Sequence, residues 1–294
     1  MISTCPPTRL TVLLIVFGLM YCVHPVLAEE NLALYPSKGY AYTYSPLPVD
    51  GLHAQASIMF SSYQVNNLKC RDGEIWAVPF GLTWGDGDLV ELTAASHYEN
   101  WTNTDYDVDE TGWGDIFAAG KLRVLGQDRD QFLDLSLMPY LLFATEDRDK
   151  GIGDLFRYNP TDTNETIYGL NLLLGKRWER LYAGLNLGIN YMDSDEAYVR
   201  NRALQAGLFA EYQMREELMI YLEMINVENR NTFTCEACSP CHDADIDQDI
   251  REIGAGLAWL SGKWGLKLHV GAGLSKTSPD IRTILMINRQ LAYW

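Results

Sequence analysis

Residues 181–191 read LYAGLNLGINY. Leu181, Ala183, Leu185, Leu187, Ile189 and Tyr191 take every second position, and Tyr182, Gly184, Asn186, Gly188 and Asn190 take the others. A β-strand sends successive side chains to opposite faces, so this run has one apolar face and one built of amides, glycines and a tyrosine. Residues 264–274, WGLKLHVGAGL, repeat the pattern: Trp264, Leu266, Leu268, Val270, Ala272 and Leu274 stand against Gly265, Lys267, His269, Gly271 and Gly273. A soluble sandwich also alternates, but its apolar face meets a second sheet and seldom backs onto so many glycines and asparagines.

Marking every such run predicts about twelve strands, at 52–62, 73–84, 88–97, 114–124, 131–145, 165–176, 179–192, 200–213, 216–228, 250–261, 264–275 and 281–294. An even number of antiparallel strands returns both ends to the same side, as bacterial outer-membrane barrels require. The connections agree. Tight links follow alternate strands, at Gly85-Asp86-Gly87, Gly126 to Asp130, Arg177-Trp178, Met214-Arg215 and Gly262-Lys263, while 98–113, 146–164 and 229–249 are long. Short periplasmic turns and longer outer loops are the pattern of such barrels. The predicted fold is therefore all-β: a closed antiparallel transmembrane barrel over 52–294.

Charge and the N-terminal stretch narrow the setting. Within residues 1–28, Arg9 is the only formal charge, Leu10 to Cys22 form an apolar core, and Val26-Leu27-Ala28 supplies small-residue cleavage chemistry, so this stretch reads as a secretory signal. Its removal takes the formal charge from −16 to −17 over residues 29–294. That acidity argues against nucleic acid, whose phosphates require Lys and Arg. Residues 29–51 hold Pro36, Pro46, Pro48 and several tyrosines without strand length; they read as a periplasmic lead-in or as a segment folded into the lumen. The expected location is the outer membrane of a Gram-negative cell, with lipid, lipopolysaccharide and the barrel-assembly machinery as partners. Trp84, Trp178, Tyr191, Tyr212, Trp259, Trp264, Tyr293 and Trp294 fall at or near strand ends, where interfacial girdles form, and an aromatic final residue suits recognition by that machinery. One misfit stands out: LMINRQLAYW sends either Arg289 or the pair Asn288 and Gln290 toward lipid, which a bulge would relieve.

Residues 112–123, GWGDIFAAGKLR, resemble a motif of the outer-membrane proteins involved in the meta-pathway of phenol degradation, a transporter family. Gly112, Gly114, Asp115, Lys121 and Arg123 match its Gly-x-Gly-Asp and Lys-x-Arg, and Ser278-Pro279-Asp280 before the last strand is similar as well. The resemblance implies passage of small compounds, aromatic or hydrophobic ones among them.

If the apolar faces look toward lipid, the opposite faces define the lumen. The candidate channel-lining residues are then Glu91, Asp115, Lys121, Arg123, Asp134, Glu211, Glu223, Lys267 and His269, with His97, Asn171, Asn186, Asn190 and Gln205 on the same side. Their opposed charges suit a selective polar pathway, or they satisfy one another inside a filled barrel. Lipid hydrolysis is disfavoured, because the adjacent Ser96 and His97 point to opposite faces of one strand. Cys70, Cys235, Cys238 and Cys241 all fall in outer loops, and an even set in an exported chain is expected to form disulfides. Cys238-x-x-Cys241-His242 leaves covalent haem as the alternative, with a metal site less suited by crowding. Asp243, Asp245, Asp247 and Asp249, together with Glu99, Asp105, Asp107, Asp109 and Glu110, are expected to form an acidic outer rim. The sequence contains no catalytic set, so the chain reads as a passive channel rather than an enzyme.

Overall fold

The computed structural model describes residues 31–63, 73–103, 107–145, 150, 152–156, 165–194, 199–230 and 248–292. The signal stretch, Cys70, Cys235, Cys238, Cys241, Asp105, the aspartates at 243, 245 and 247, and Trp294 lie outside them. The strands are β1 Asp50–Tyr63, β2 Gly73–Asp86, β3 Val90–Asn103, β4 Val108–Trp113, β5 Ile116–Leu125, β6 Asp134–Phe143 and β7 Ile167–Trp178. They continue as β8 Leu181–Met192, β9 Arg202–Arg215, β10 Leu218–Val227, β11 Ile250–Ser261, β12 Trp264–Gly273 and β13 Ile281–Ala292. Consecutive strands pair antiparallel, with β3 pairing both β4 and β5, and β1 pairs with β13, for example Ile58 with Leu285. The sheet therefore closes on itself. Because β4 and β5 are the two halves of one strand, both paired to β3, the wall makes twelve passes.

Two corrections concern the wall near β3. The stretch 98–113, expected to be an outer loop, is mostly sheet: β3 runs on to Asn103 and β4 returns beside it, Tyr98 opposite Trp113. The returning strand then breaks at Gly114-Asp115. There the Gly114 N–H donates to the His97 carbonyl at 2.9 Å, Asp115 N–H donates to Gly153 O at 3.0 Å, and the Ser96 hydroxyl donates to Gly114 O at 3.2 Å. Any Cβ at position 114 would overlap the His97 ring, so the close approach itself calls for glycine. Glu99, expected on the acidic rim, faces inward instead, fully buried with its carboxylate 3.2 Å from His97 Nε2.

The outward face is apolar and banded. Leu82, Leu92, Leu122, Leu170, Leu208, Leu222, Leu257, Leu268 and Leu285 project outward from the wall. Trp84, Trp178, Tyr212 and Trp264 ring the end with the short turns, and Trp76, Tyr98, Trp113, Tyr168 and Tyr191 ring the other. Trp76 and Trp84 on β2 are eight residues apart. That is about 26 Å along the strand at ~3.3 Å per residue, or roughly 20 Å of height at a tilt near 40°, close to the apolar band of a bilayer-spanning barrel. Burial alternates along the last strand through Leu291, with Asn288 and Gln290 inward and Arg289 outward, and its register against β1 shifts only near its end, where Gln290 and Ala292 face the successive residues His53 and Leu52. Arg289 sits near the short-turn end, its guanidinium 4.8 Å over the Trp264 ring, where the head group level tolerates a cation.

Leu222, 60% exposed at the middle of β10, reports on this assignment. Leu222→Arg is expected to lower unfolding free energy in lipid vesicles by about 2–4 kcal/mol, the cost of an arginine near the bilayer midplane. Denaturant titration of the variant against wild type measures it.

Candidate permeation pathway

All nine candidate lining residues, Glu91, Asp115, Lys121, Arg123, Asp134, Glu211, Glu223, Lys267 and His269, are buried on the inner face. Asn171, Asn186 and Asn190 are buried there too, as is His97. Ser96 points outward and His97 inward, so the pair cannot act as nucleophile and base.

Of the two places open to residues 29–51, periplasm or lumen, residues 31–49 take the lumen: they lie inside the barrel, with Leu32, Ala33, Leu34, Tyr40, Ala41 and Val49 among the most buried side chains of the molecule. The wall holds this segment mainly through side chains. Glu223 of β10 accepts the backbone N–H groups of Ala41 (2.9 Å), Tyr42 (3.0 Å) and Thr43 (2.9 Å) and the Thr43 hydroxyl (2.9 Å). Lys267 of β12 donates to Gly39 O at 3.1 Å, Tyr40 O at 3.0 Å and the Leu32 carbonyl.

Across the lumen, Glu91 of β3 accepts the Val49 N–H at 2.9 Å, the Lys38 N–H at 3.3 Å and the Ser37 hydroxyl. Its own partner Lys121 of β5, 3.0 Å away, donates to Leu47 O at 3.2 Å and Lys38 O at 3.4 Å. Asn186 of β8 exchanges two bonds with Tyr44, at 2.7 and 2.8 Å. Glu211 accepts from Tyr40 Oη at 2.9 Å. His269 stands between Glu223, 3.5 Å from Nδ1, and the Tyr42 ring, 4.7 Å between centroids.

The inner-face glycines now have a physical reason. A Cβ at Gly81 would come within 2.6 Å of Pro36, one at Gly207 within 2.7 Å of Thr43, one at Gly175 within 2.9 Å of Pro46, and one at Gly271 would overlap Tyr42. Small positions on the wall seat large or stiff residues of the segment. Some of the alternation that looks like a water-filled face is therefore a packed one.

Above the segment, residues 152–156 of the connection between β6 and β7 turn into the barrel, with Ile152 and Leu155 fully buried. Leu155 N–H donates to Tyr35 Oη at 3.1 Å, and Arg282 of β13 donates to Phe156 O at 3.3 Å. Tyr35 stacks on Phe117 with centroids 4.5 Å apart and meets Phe156 edge-on at 5.5 Å. Between segment, loop and wall lies a cavity of about 70 Å³, lined on one side by Tyr35, Tyr42 and Phe156 and on the other by Asn171, Asn190 and Gln205.

Below the segment, Arg123 bonds Asp134 at 2.8 Å and Asp128 of the turn after β5 at 2.5 Å. The bond to Arg123 holds the Asp128 carboxyl below its ordinary range. Arg177 lies 3.6 Å from Glu211 at the same end.

No protein-family model and no curated protein matches the chain. Among solved structures it is similar to an outer-membrane channel from Pseudomonas putida F1, with a TM-score of 0.63 at 14% identity, over 86% of this chain and 99% of that one. The fold is that of an outer-membrane β-barrel. The NanC porin is also similar, with a TM-score of 0.50 at 9% identity over 82% of this chain and 100% of that one.

Two outcomes follow from this geometry. Lys121→Met leaves Glu91 as a buried charge without the cation that stands 3.0 Å from it, and is expected to cost about 3–5 kcal/mol of unfolding free energy. Adding Glu91→Gln should return a large part of it, a coupling that a double-mutant cycle in denaturant reads directly. At the turn, a carboxyl held below its unfolded value near ~3.9 contributes stability above that value and loses it as pH falls through the folded value. The difference in stability between wild type and Asp128→Asn should therefore be present at neutral pH and shrink as pH drops below about 4.

Proposed function

We propose that this chain is an outer-membrane channel for the passive passage of small molecules, lined by Glu91, Asp115, Lys121, Arg123, Asp134, Glu211, Glu223, Lys267 and His269. The observation that carries the reading is the nature of the obstruction. A barrel that serves only as a scaffold can be filled by its own inward side chains. Here the wall carries buried ionisable groups of both signs, and the space between them is closed by a chain segment that precedes the first strand. Charged pairs on opposed walls set a field across the path and favour some permeants over others.

The fold shared with a channel and a porin supports the same reading. The sequence resemblance at Gly112 to Arg123 implies small aromatic or hydrophobic cargo, and the aromatic side of the cavity, Tyr35, Tyr42 and Phe156, is compatible with such a solute. Lipid and lipopolysaccharide would contact the outward apolar belt and its two aromatic rings.

Planar-bilayer recording of the purified, reconstituted chain tests the proposal. Stepwise conductance is the expected result, with current rising in urea concentrations that loosen the luminal segment while the barrel stays folded. A barrel that inserts yet stays silent under both conditions would remove the channel reading.

A further inference from the structure

We propose that the outward wall between β8 and β12 carries a binding groove for one anionic phospholipid of the periplasmic leaflet, its head group held by Arg180 and Arg215 and its acyl chains lying over Ala210 and Ala255. The site depends on the barrel's place in the outer membrane and is independent of what crosses the lumen.

On this arc the outward side chains leave a recess of about 600 Å³, bordered by Leu181, Tyr212, Ile220, Leu257, Leu268 and Val270. Its floor follows from the register. Ala183 pairs with Ala210, Ala210 with Leu222, Leu222 with Ala255 and Ala255 with Val270, so this cross-strand row of the outer face is small at β8, β9 and β11. The row beside it, Leu181, Tyr212, Ile220, Leu257 and Leu268, is bulky throughout. Methyl groups beside leucines and a phenol leave depth, and an apolar recess left empty forfeits the dispersion contacts of its lining.

The recess also has a direction. A row of paired residues runs perpendicular to its strands, so strands tilted near 40° incline the row by the same angle. From β8 to β12 there are four strand spacings of ~4.8 Å, about 19 Å in all, of which roughly 12 Å is height. That approaches the ~15 Å of hydrocarbon in one leaflet. The low end is at β8: Leu181 is the first residue of its strand, whereas Leu268 of the same row is the fifth of β12.

Charge selects the lipid. Arg180 precedes Leu181, its carbonyl accepting the Gln213 N–H at 2.9 Å, and Arg215 ends β9; both side chains are exposed at the foot of the recess. Among the described residues, the exposed charged side chains around the short-turn end from β7 to β13 are Arg177, Arg180, Arg215, Lys263 and Arg289 against Glu179 and Glu216. From β1 to β6 they are Asp50, Asp86, Asp88, Asp128 and Asp130 against Arg129. A chain with a formal charge of −16 thus gathers positive charge on one arc of this rim, and that arc lies beneath the recess. Clustered arginines and lysines at head-group level attract anionic lipid. Short turns face the periplasm, so the ligand is a phospholipid of the inner leaflet and not lipopolysaccharide.

Native mass spectrometry of the purified, detergent-solubilised barrel tests the site, with equimolar phosphatidylglycerol and phosphatidylethanolamine of the same acyl chains as probes. Wild type is compared with an Arg180→Gln, Arg215→Gln double variant, with Arg129→Gln as a rim control, and with Ala255→Trp, which fills the recess. Heat-modifiable migration on gels verifies that each barrel is folded. Wild type and Arg129→Gln should retain one phosphatidylglycerol with a preference of roughly tenfold or more over phosphatidylethanolamine, the scale expected of two cations at a membrane surface. The double variant should keep a lipid without that preference, and Ala255→Trp should lose the retained lipid. Equal retention of the two lipids by wild type, a preference that survives in the double variant, or retention that survives Ala255→Trp would overturn the proposal. So would a second copy of the chain on this face, seen as a dimer that Ala255→Trp abolishes.

Discussion

Every peptide group that enters hydrocarbon must find its hydrogen-bond partner within the protein, and that requirement organises the whole molecule. A sheet meets it only if it has no edges. The pairing of β1 with β13, from Ser62 opposite Ile281 to Leu52 opposite Ala292, is therefore the contact on which everything else depends. Once the sheet is a ring, the alternation of side chains acquires an absolute meaning. One set, typified by Leu208, Leu222 and Leu268, lies against lipid, and the other is sealed from it.

The sealed set creates the second problem, because Glu91, Lys121, Glu223 and Lys267 are taken far from bulk water. Isolated, each would be costly to bury. The fold answers with pairs and with a chain segment whose backbone supplies the missing donors and acceptors. Three successive N–H groups at Ala41, Tyr42 and Thr43 converge on one carboxylate, as water would have done. Function and stability meet here: the groups that would tune a permeation path are the same ones that keep the path filled at rest.

The wall was largely legible in the sequence, because period-two alternation is a local signal that each strand carries for itself. Leu181 to Tyr191 and Trp264 to Leu274 announce their two faces unaided, and most strand boundaries fall within two or three residues of expectation. Failures arose where a local signal was absent or shared. Tyr98 to Trp113 alternates weakly and is rich in acids, so in sequence a long hairpin looks like a loop and Glu99 like part of its rim, although pairing with β4 fixes its inward direction. Arg289 looked like a phase error only because its height was unknown; beside Trp264 it is at the interface. The luminal segment was the hardest. Residues 31–49 lack periodicity, and the reading left them between periplasm and lumen. Their contacts, such as Thr43 with Glu223 or Tyr44 with Asn186, join positions far apart in the chain. The one available signal was the run of inner-face glycines at 81, 175, 207 and 271, which mark space kept for another body.

The central claim is directional: alternate side chains of a closed ring look outward to hydrocarbon, and their neighbours look inward. Fluorescent labels on single added cysteines at Leu208, Leu222 and Leu268, compared with labels at Gly207, Glu223 and His269, test it in vesicles containing brominated lipid. The outward set should be strongly quenched by the bromines and the inward set spared. Equal quenching of the two sets, or quenching confined to the inward set, would contradict the account.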